Sequence, residues 1–175
     1  ADVDEPTIPF DLRDVHGDGS QLEDAEQAVD VALSNRLRQI ARRLNVSVAT
    51  VFHAAWALVV AHGSARDDVV FGSVLSGRLQ GTAGADRVFG MFINTLPLRF
   101  ALKDLGAREF VQQVHRELVE LLHHEQASLA LAQRCSGVSA AQPLFSAVLN
   151  YRHSAPRQPA VDGGIGIVSF KSKMH

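Results

Sequence analysis

The run Val69-Val70-Phe71-Gly72-Ser73-Val74-Leu75 constrains this chain most. It is almost continuously apolar and contains several β-branched residues, the pattern of an interior strand. An interior strand needs neighbours, and the flanking sequence offers them. Asn94 to Leu98 reads as a second strand, with Pro97 denying it one backbone donor and arguing for an edge or a bulge. Phe145 to Tyr151 is a further sheet candidate, and Ile165 to Phe170 another after the Gly163-Gly164 turn.

Helical signals lie between these runs. Ser47 is placed to cap a helix from Val48 to His62, with Gly63 supplying the backbone freedom needed just past its end. Val48, Val51, Phe52, Ala55, Trp56, Val59 and Val60 form an apolar stripe, and Ala54, Ala57 and Ala61 leave little polarity elsewhere. This predicts a largely buried helix, with Trp56 in the core and its indole nitrogen bonded locally or reaching the surface. Phe110, Val114, Leu118, Leu121 and Leu122 mark a second, amphipathic helix over Glu109 to Glu125.

Nearer the start, Val29, Val31 and Leu33 alternate as in a strand, after which Ser34 is placed to cap a helix from Asn35 to Leu44. A single helix from Leu22 is also allowed. Residues 1–27 are acidic and turn-rich and read as a linker laid over a surface. Together the elements predict an α/β chain: a mixed sheet with helices packed on one face.

Charge and composition exclude several functions. The net charge of -2 gives no footprint for nucleic acid. Arg36, Arg38, Arg42 and Arg43 recur at helical spacing, as a solvated face or a docking surface. Cys135 is the one cysteine, so there is no internal disulfide and no thiolate cluster. The longest apolar run, Ala54 to Ala61, is too short to span a membrane, and Ala1-Asp2-Val3-Asp4-Glu5 begins no secretory signal. A cytoplasmic location is the expectation. No HExxH is present to hold a metal, and Gly77, Gly81 and Gly84 form a loop without either phosphate-binding pattern.

Few residues offer acid–base chemistry. His123-His124 read as helix-end or surface histidines, His16-Gly17-Asp18-Gly19 lies in a polar connection, and Asp67-Asp68 suit a cap or turn. Tyr151, Arg152 and His153 follow an apolar strand, where α/β folds often place ligand contacts. Asn94 has donors and an acceptor to tie a turn to neighbouring backbone, and Arg99 has a rigid guanidinium to clamp a carboxylate or several carbonyls. Neither readily takes a proton at neutral pH.

The segment Val88-Phe89-Gly90-Met91-Phe92-Ile93-Asn94-Thr95-Leu96-Pro97-Leu98-Arg99 resembles the GxFxNTxxxR signature of the condensation domains of non-ribosomal peptide synthetases. Arg66 to Val74 with Ser76-Gly77-Arg78, His124 to Leu129 with Gln133, Pro143-Leu144-Phe145 and Asn150-Tyr151-Arg152 are similar to further family segments, in the family's order. The resemblance implies one lobe, incomplete, of the chloramphenicol-acetyltransferase-like fold of CoA-dependent acyltransferases. Residues 1–27 would then lead in from a missing N-terminal lobe, and 28–175 would be a partial C-terminal lobe.

It further implies a parent that forms amide bonds between substrates held as thioesters on carrier proteins. Phosphopantetheine would come on those partners, with no cofactor bound directly by this chain. Other implied partners are the N-terminal lobe and an adenylation domain, with self-association through the incomplete lobe. Gly90, Phe92, Asn94, Thr95 and Arg99 would be channel or structural motif residues, and Ser73, Asn150, Tyr151 and Arg152 candidate channel wall. The family's catalytic HHxxxDG does not occur in this sequence. No catalytic residue is therefore assigned, and the isolated chain is expected to be inactive. A non-catalytic docking module is the alternative, and a complete small acyltransferase is disfavoured by the missing motif.

Overall fold

A computed structural model describes residues 3–12, 23–76 and 93–152. A 3₁₀ turn at Pro9–Asp11 precedes α1 (Val31–Leu44), α2 (Val48–Ser64), β1 (Asp68–Leu75), β2 (Asn94–Ala101), α3 (Ala107–His123), α4 (Leu129–Cys135) and β3 (Val148–Leu149). The strand order is β2-β1-β3, with β2 antiparallel and β3 parallel to β1. The sheet is thus mixed and open, and its apolar run is the interior strand. Pro97 sits in β2, an edge among the described strands, where a missing N–H is tolerated.

The core joins the sheet to α2 and α3. Phe71 of β1 and Phe100 of β2 are fully buried, with ring centroids 5.7 Å apart, and Phe110 of α3 meets Phe100 edge-on at 5.8 Å. Burying such side chains stabilises by roughly 1.5–3 kcal/mol each. Ala54, Ala57 and Val60 form the α2 side of this cluster, and Val114 completes the α3 side.

The buried face of α2 is rotated from the expected stripe. Thr50, His53, Ala54, Ala57 and Val60 are buried, whereas Ala55, Leu58 and Val59 are exposed. Alanines let the helix approach large phenylalanines on the sheet, and a helix apolar on nearly every side gives no phase by periodicity. Gly63 lies within α2. A Cβ there would stand 3.1 Å from Phe10 Cζ, so glycine makes room for that ring. The helix ends at Ala65, in the left-handed conformation with φ 52. Trp56 is half-buried at the core margin instead of within the core, and its Nε1 is enclosed with no acceptor among the described residues, against the expectation that it would bond locally or reach the surface.

The strand expected over Val29 to Leu33 is absent. Asp30, instead of Ser34, caps α1: its Oδ1 accepts from the Leu33 N–H at 2.7 Å, so Val31 and Leu33 are helical. The alternation was a coincidence of short spacing. In α3, Glu109 accepts from the Gly106 N–H at 3.1 Å, and the helix stops at His123, leaving Glu125 beyond it. The strand expected over Phe145 to Tyr151 is reduced to Val148–Leu149, with one bridge from Phe145 to Thr7. Gly77 to Arg87, His153 and Ile165 to Phe170 lie outside the described residues.

Part of the acidic leader belongs to the body. Thr7 is buried, its N–H donates to Leu144 O at 3.1 Å, and its carbonyl accepts from Ser146 N at 3.2 Å. Its Oγ1 accepts from Val70 N at 2.8 Å. Arg66 reaches Glu5 at 3.0 Å and the Pro6 carbonyl at 3.3 Å.

No single helix among the described residues is long and apolar enough to cross a membrane. The pair α1 and α2, which pass together on length and composition, are bent by 103°.

Candidate functional site

Register decides which motif residues share a location. Asn94 pairs with Leu75 at the carboxyl end of β1, and Leu149 pairs with Ser73, so Asn150 and Tyr151 continue beyond that same end. Ligands of open α/β sheets commonly bind outside strand carboxyl ends. Arg99 instead faces Val70, near the other end of β1. Five residues of strand, about 17 Å at roughly 3.4 Å each, separate Asn94 from Arg99.

Asn94 and Arg99 each have a definite bonding role. Asn94 Nδ2 donates to the carbonyls of Glu125 at 2.8 Å and Ala127 at 2.7 Å, tying the strand start to the turn between α3 and α4. Arg99 clamps Asp68 with two bonds, Nε at 2.9 Å and Nη2 at 2.7 Å. Those bonds hold the Asp68 carboxyl below its ordinary value, more than the opposing desolvation raises it. Asp68 is therefore a strand residue in an ion pair, not a turn or cap. Thr95 is half-buried next to Gly72, and Gly90 and Phe92 lie outside the described residues.

Ser73 has a partner that sequence reading missed. His53 Nδ1 lies 2.8 Å from Ala49 O, so it must carry the proton, and Nε2 then accepts from Ser73 Oγ at 2.9 Å. Burial lowers the His53 pKa, opposed by the Ala49 bond, and the ring is neutral. A hydroxyl paired with an imidazole is half of a nucleophile–base arrangement. Both groups are buried, however, and neither lines either of the two recesses found among the described residues, so the pair fastens α2 to β1. The available signal was the polar pair Thr50 and His53 in phase with Ala57 and Val60.

Two recesses flank these elements. A groove of about 440 Å³ is lined by Val29, Leu37, Arg38, Val48, Phe52 and Tyr151. Phe52 and Tyr151 have ring centroids 5.3 Å apart, while Asn150 and Arg152 are exposed. The other, about 320 Å³, is polar and lies among Asp4, Glu5, Arg66, Asp68 and Arg99.

Among the described residues no group of three or more His, Cys, Asp or Glu is arranged to hold a metal. His123 and His124 are exposed at the end of α3 beside Glu120, and Cys135 is exposed at the end of α4. The basic residues of α1 are all exposed, with Arg38 and Arg42 on one flank and Arg36 and Arg43 on the other.

The family model described as "Condensation domain" matches residues 4–162. Malpibaldin synthetase of Mortierella alpina is 49% identical over 170 residues, covering 96% of this chain and 3% of that protein. Malpinin synthetase of the same organism is 49% identical over 155 residues, 89% of this chain and 2% of that protein. The chain thus spans a few hundredths of the length of these relatives. The condensation domain from Monacolin K polyketide synthase MokA shares the fold, with a TM-score of 0.59 at 18% identity over 83% of this chain and 36% of that one. With the strand carrying Asn94 and Arg99 in place and the family match running through it, this chain belongs to the condensation-domain family.

Proposed function

We propose that this chain is most of the C-terminal lobe of a condensation domain whose parent joins two carrier-bound thioesters through an amide bond. The observation that carries this is the family match over residues 4–162 in a sequence without HHxxxDG. In this reading residues 1–27 lead in from an N-terminal lobe that supplies the catalytic histidine. The carboxyl end of β1 forms one wall of the channel, with Asn94, Asn150, Tyr151 and Arg152 along it and Ser73, contrary to the sequence expectation, buried behind it against His53.

The acceptor's amine attacks the donor's thioester carbonyl while the two are held together, and proximity supplies much of the rate. The phosphopantetheine arms belong to the carrier proteins, and this chain binds no cofactor of its own. Carrier and adenylation domains are the partners within a cytoplasmic synthetase.

The test compares the purified chain with a protein extended upstream in its reading frame. The chain alone gives no condensation of carrier-loaded donor and acceptor above a no-protein control. The extended protein contains HHxxxDG and condenses them. An extended protein that lacks the motif and stays inactive, yet binds loaded carriers, would establish a docking module instead. Heat-labile condensation by the isolated chain would refute the assignment of catalysis to the other lobe. Light scattering across a concentration series checks self-association, expected from an incomplete lobe.

A further inference from the structure

We infer that the groove between α1, the first turns of α2 and Tyr151 is a binding site for a small apolar carboxylate. Its volume of about 440 Å³ falls within the roughly 300–1,000 Å³ of clefts that hold small molecules. Val29, Leu37, Val48 and Phe52 make its walls chiefly apolar, and the Phe52–Tyr151 pair gives it an aromatic side. Such a surface takes a ring-sized apolar body.

The sign of the head group follows from Arg38. Among the described residues no carboxylate lies within ion-pair distance of its guanidinium. Its hydrogen bond, from Nη1 to Asn35 Oδ1 at 3.3 Å, uses one of five donors. Asp30, the acid next to Val29, is committed as the α1 cap. A planar carboxylate matches the remaining fork, which an ammonium would repel and an alcohol would only partly fill. Ser34, also lining the groove, adds a neutral hydroxyl.

Tyr151 is shared with the proposed channel wall, but binding in the groove is read without condensation, so the 175-residue chain itself is the test object. Tyr151 is its single tyrosine, and the ring resonances of that residue report occupancy of the groove. Phenylbutyrate titrated into the chain should shift them saturably in the millimolar range, whereas phenylbutylamine should not.

Arg38→Gln should weaken phenylbutyrate binding about two- to five-fold, the worth of an exposed ion pair. Val29→Asp places a like charge at the groove; Val29 is 49% exposed, so the fold is kept while binding weakens. Thermal unfolding of both variants checks that they fold. Absence of a saturable shift, equal binding of acid and amine, or phenylbutyrate binding unchanged in Arg38→Gln would each overturn the site.

Discussion

His53 on α2 and Ser73 on β1 are joined side chain to side chain at 2.9 Å inside the protein, with the imidazole neutral. Burial lowers the folded-state pKa of His53 below 6.5. The unfolded chain therefore takes up this proton first as pH falls. The stability contributed by the neutral ring is complete above the unfolded value, and declines as pH drops from there to the lowered folded value. Urea midpoints between pH 8 and pH 5 should fall in the native chain and fall less in His53→Gln. Parallel pH profiles would remove the role given to the buried ring.

The Arg99–Asp68 clamp has the opposite chemistry and a lower pH window. Asp68 has a depressed folded pKa, so its contribution is present above about 3.8 and lost as pH falls through the folded value. Both side chains are more than a third exposed, and screening limits the pair to about 0.5–1 kcal/mol. Arg99→Ala should cost that much at pH 7 and nothing further at pH 2. Arg99→Lys should restore only part, because an ammonium lacks the two-pronged geometry. Equal stability of the lysine variant and the native chain at pH 7 would count against the clamp.

Asn94 holds two carbonyls, and removing its amide leaves both without that donor. Asn94→Ala should destabilise by about 1–3 kcal/mol. In a catalytically complete parent, the rate loss should follow the loss of folded protein. Unchanged unfolding combined with a large rate loss at saturating substrate would place Asn94 on the reacting groups.

Gly72 meets Phe145 across the face of the sheet opposite α2 and α3. A Cβ at Gly72 would lie 2.6 Å from Phe145 Cε2 and 2.9 Å from Thr95 Cγ2. Gly72→Ala should cost about 1–3 kcal/mol through overpacking. Phe145→Leu in the same chain should recover part of it. A double variant no more stable than the sum of the two single changes would place the strain elsewhere.

The fold was legible wherever burial forced a periodic choice. The run from Val69 to Leu75 reads as interior because β1 is paired on both sides, and α3 reads as a helix because Phe110 and Val114 face the core. Local reading failed where tertiary contacts set the outcome. Asp30 took the cap that Ser34 also suited, and α2 turned Ala54 and Ala57 inward because Phe71 and Phe100 needed close cover.

Within the candidate site, the sequence marked Ser73, Asn94 and Tyr151, and register brings them to one end of the sheet. It gave no sign that Arg99 lies at the other end, since nearness in sequence along a strand is distance in space. His53 escaped notice because a histidine within an apolar helix announces no partner, and Ser73 is twenty positions away.

Thr7 has a practical consequence for anyone splicing synthetases. A graft that began at residue 28 would look reasonable from composition, since the acidic leader reads as linker. It would discard the hydroxyl that receives the Val70 N–H and the strand bridge to Phe145. The recombination point that keeps these bonds intact lies upstream of Val3, whose carbonyl accepts from Gly137 N at 2.8 Å.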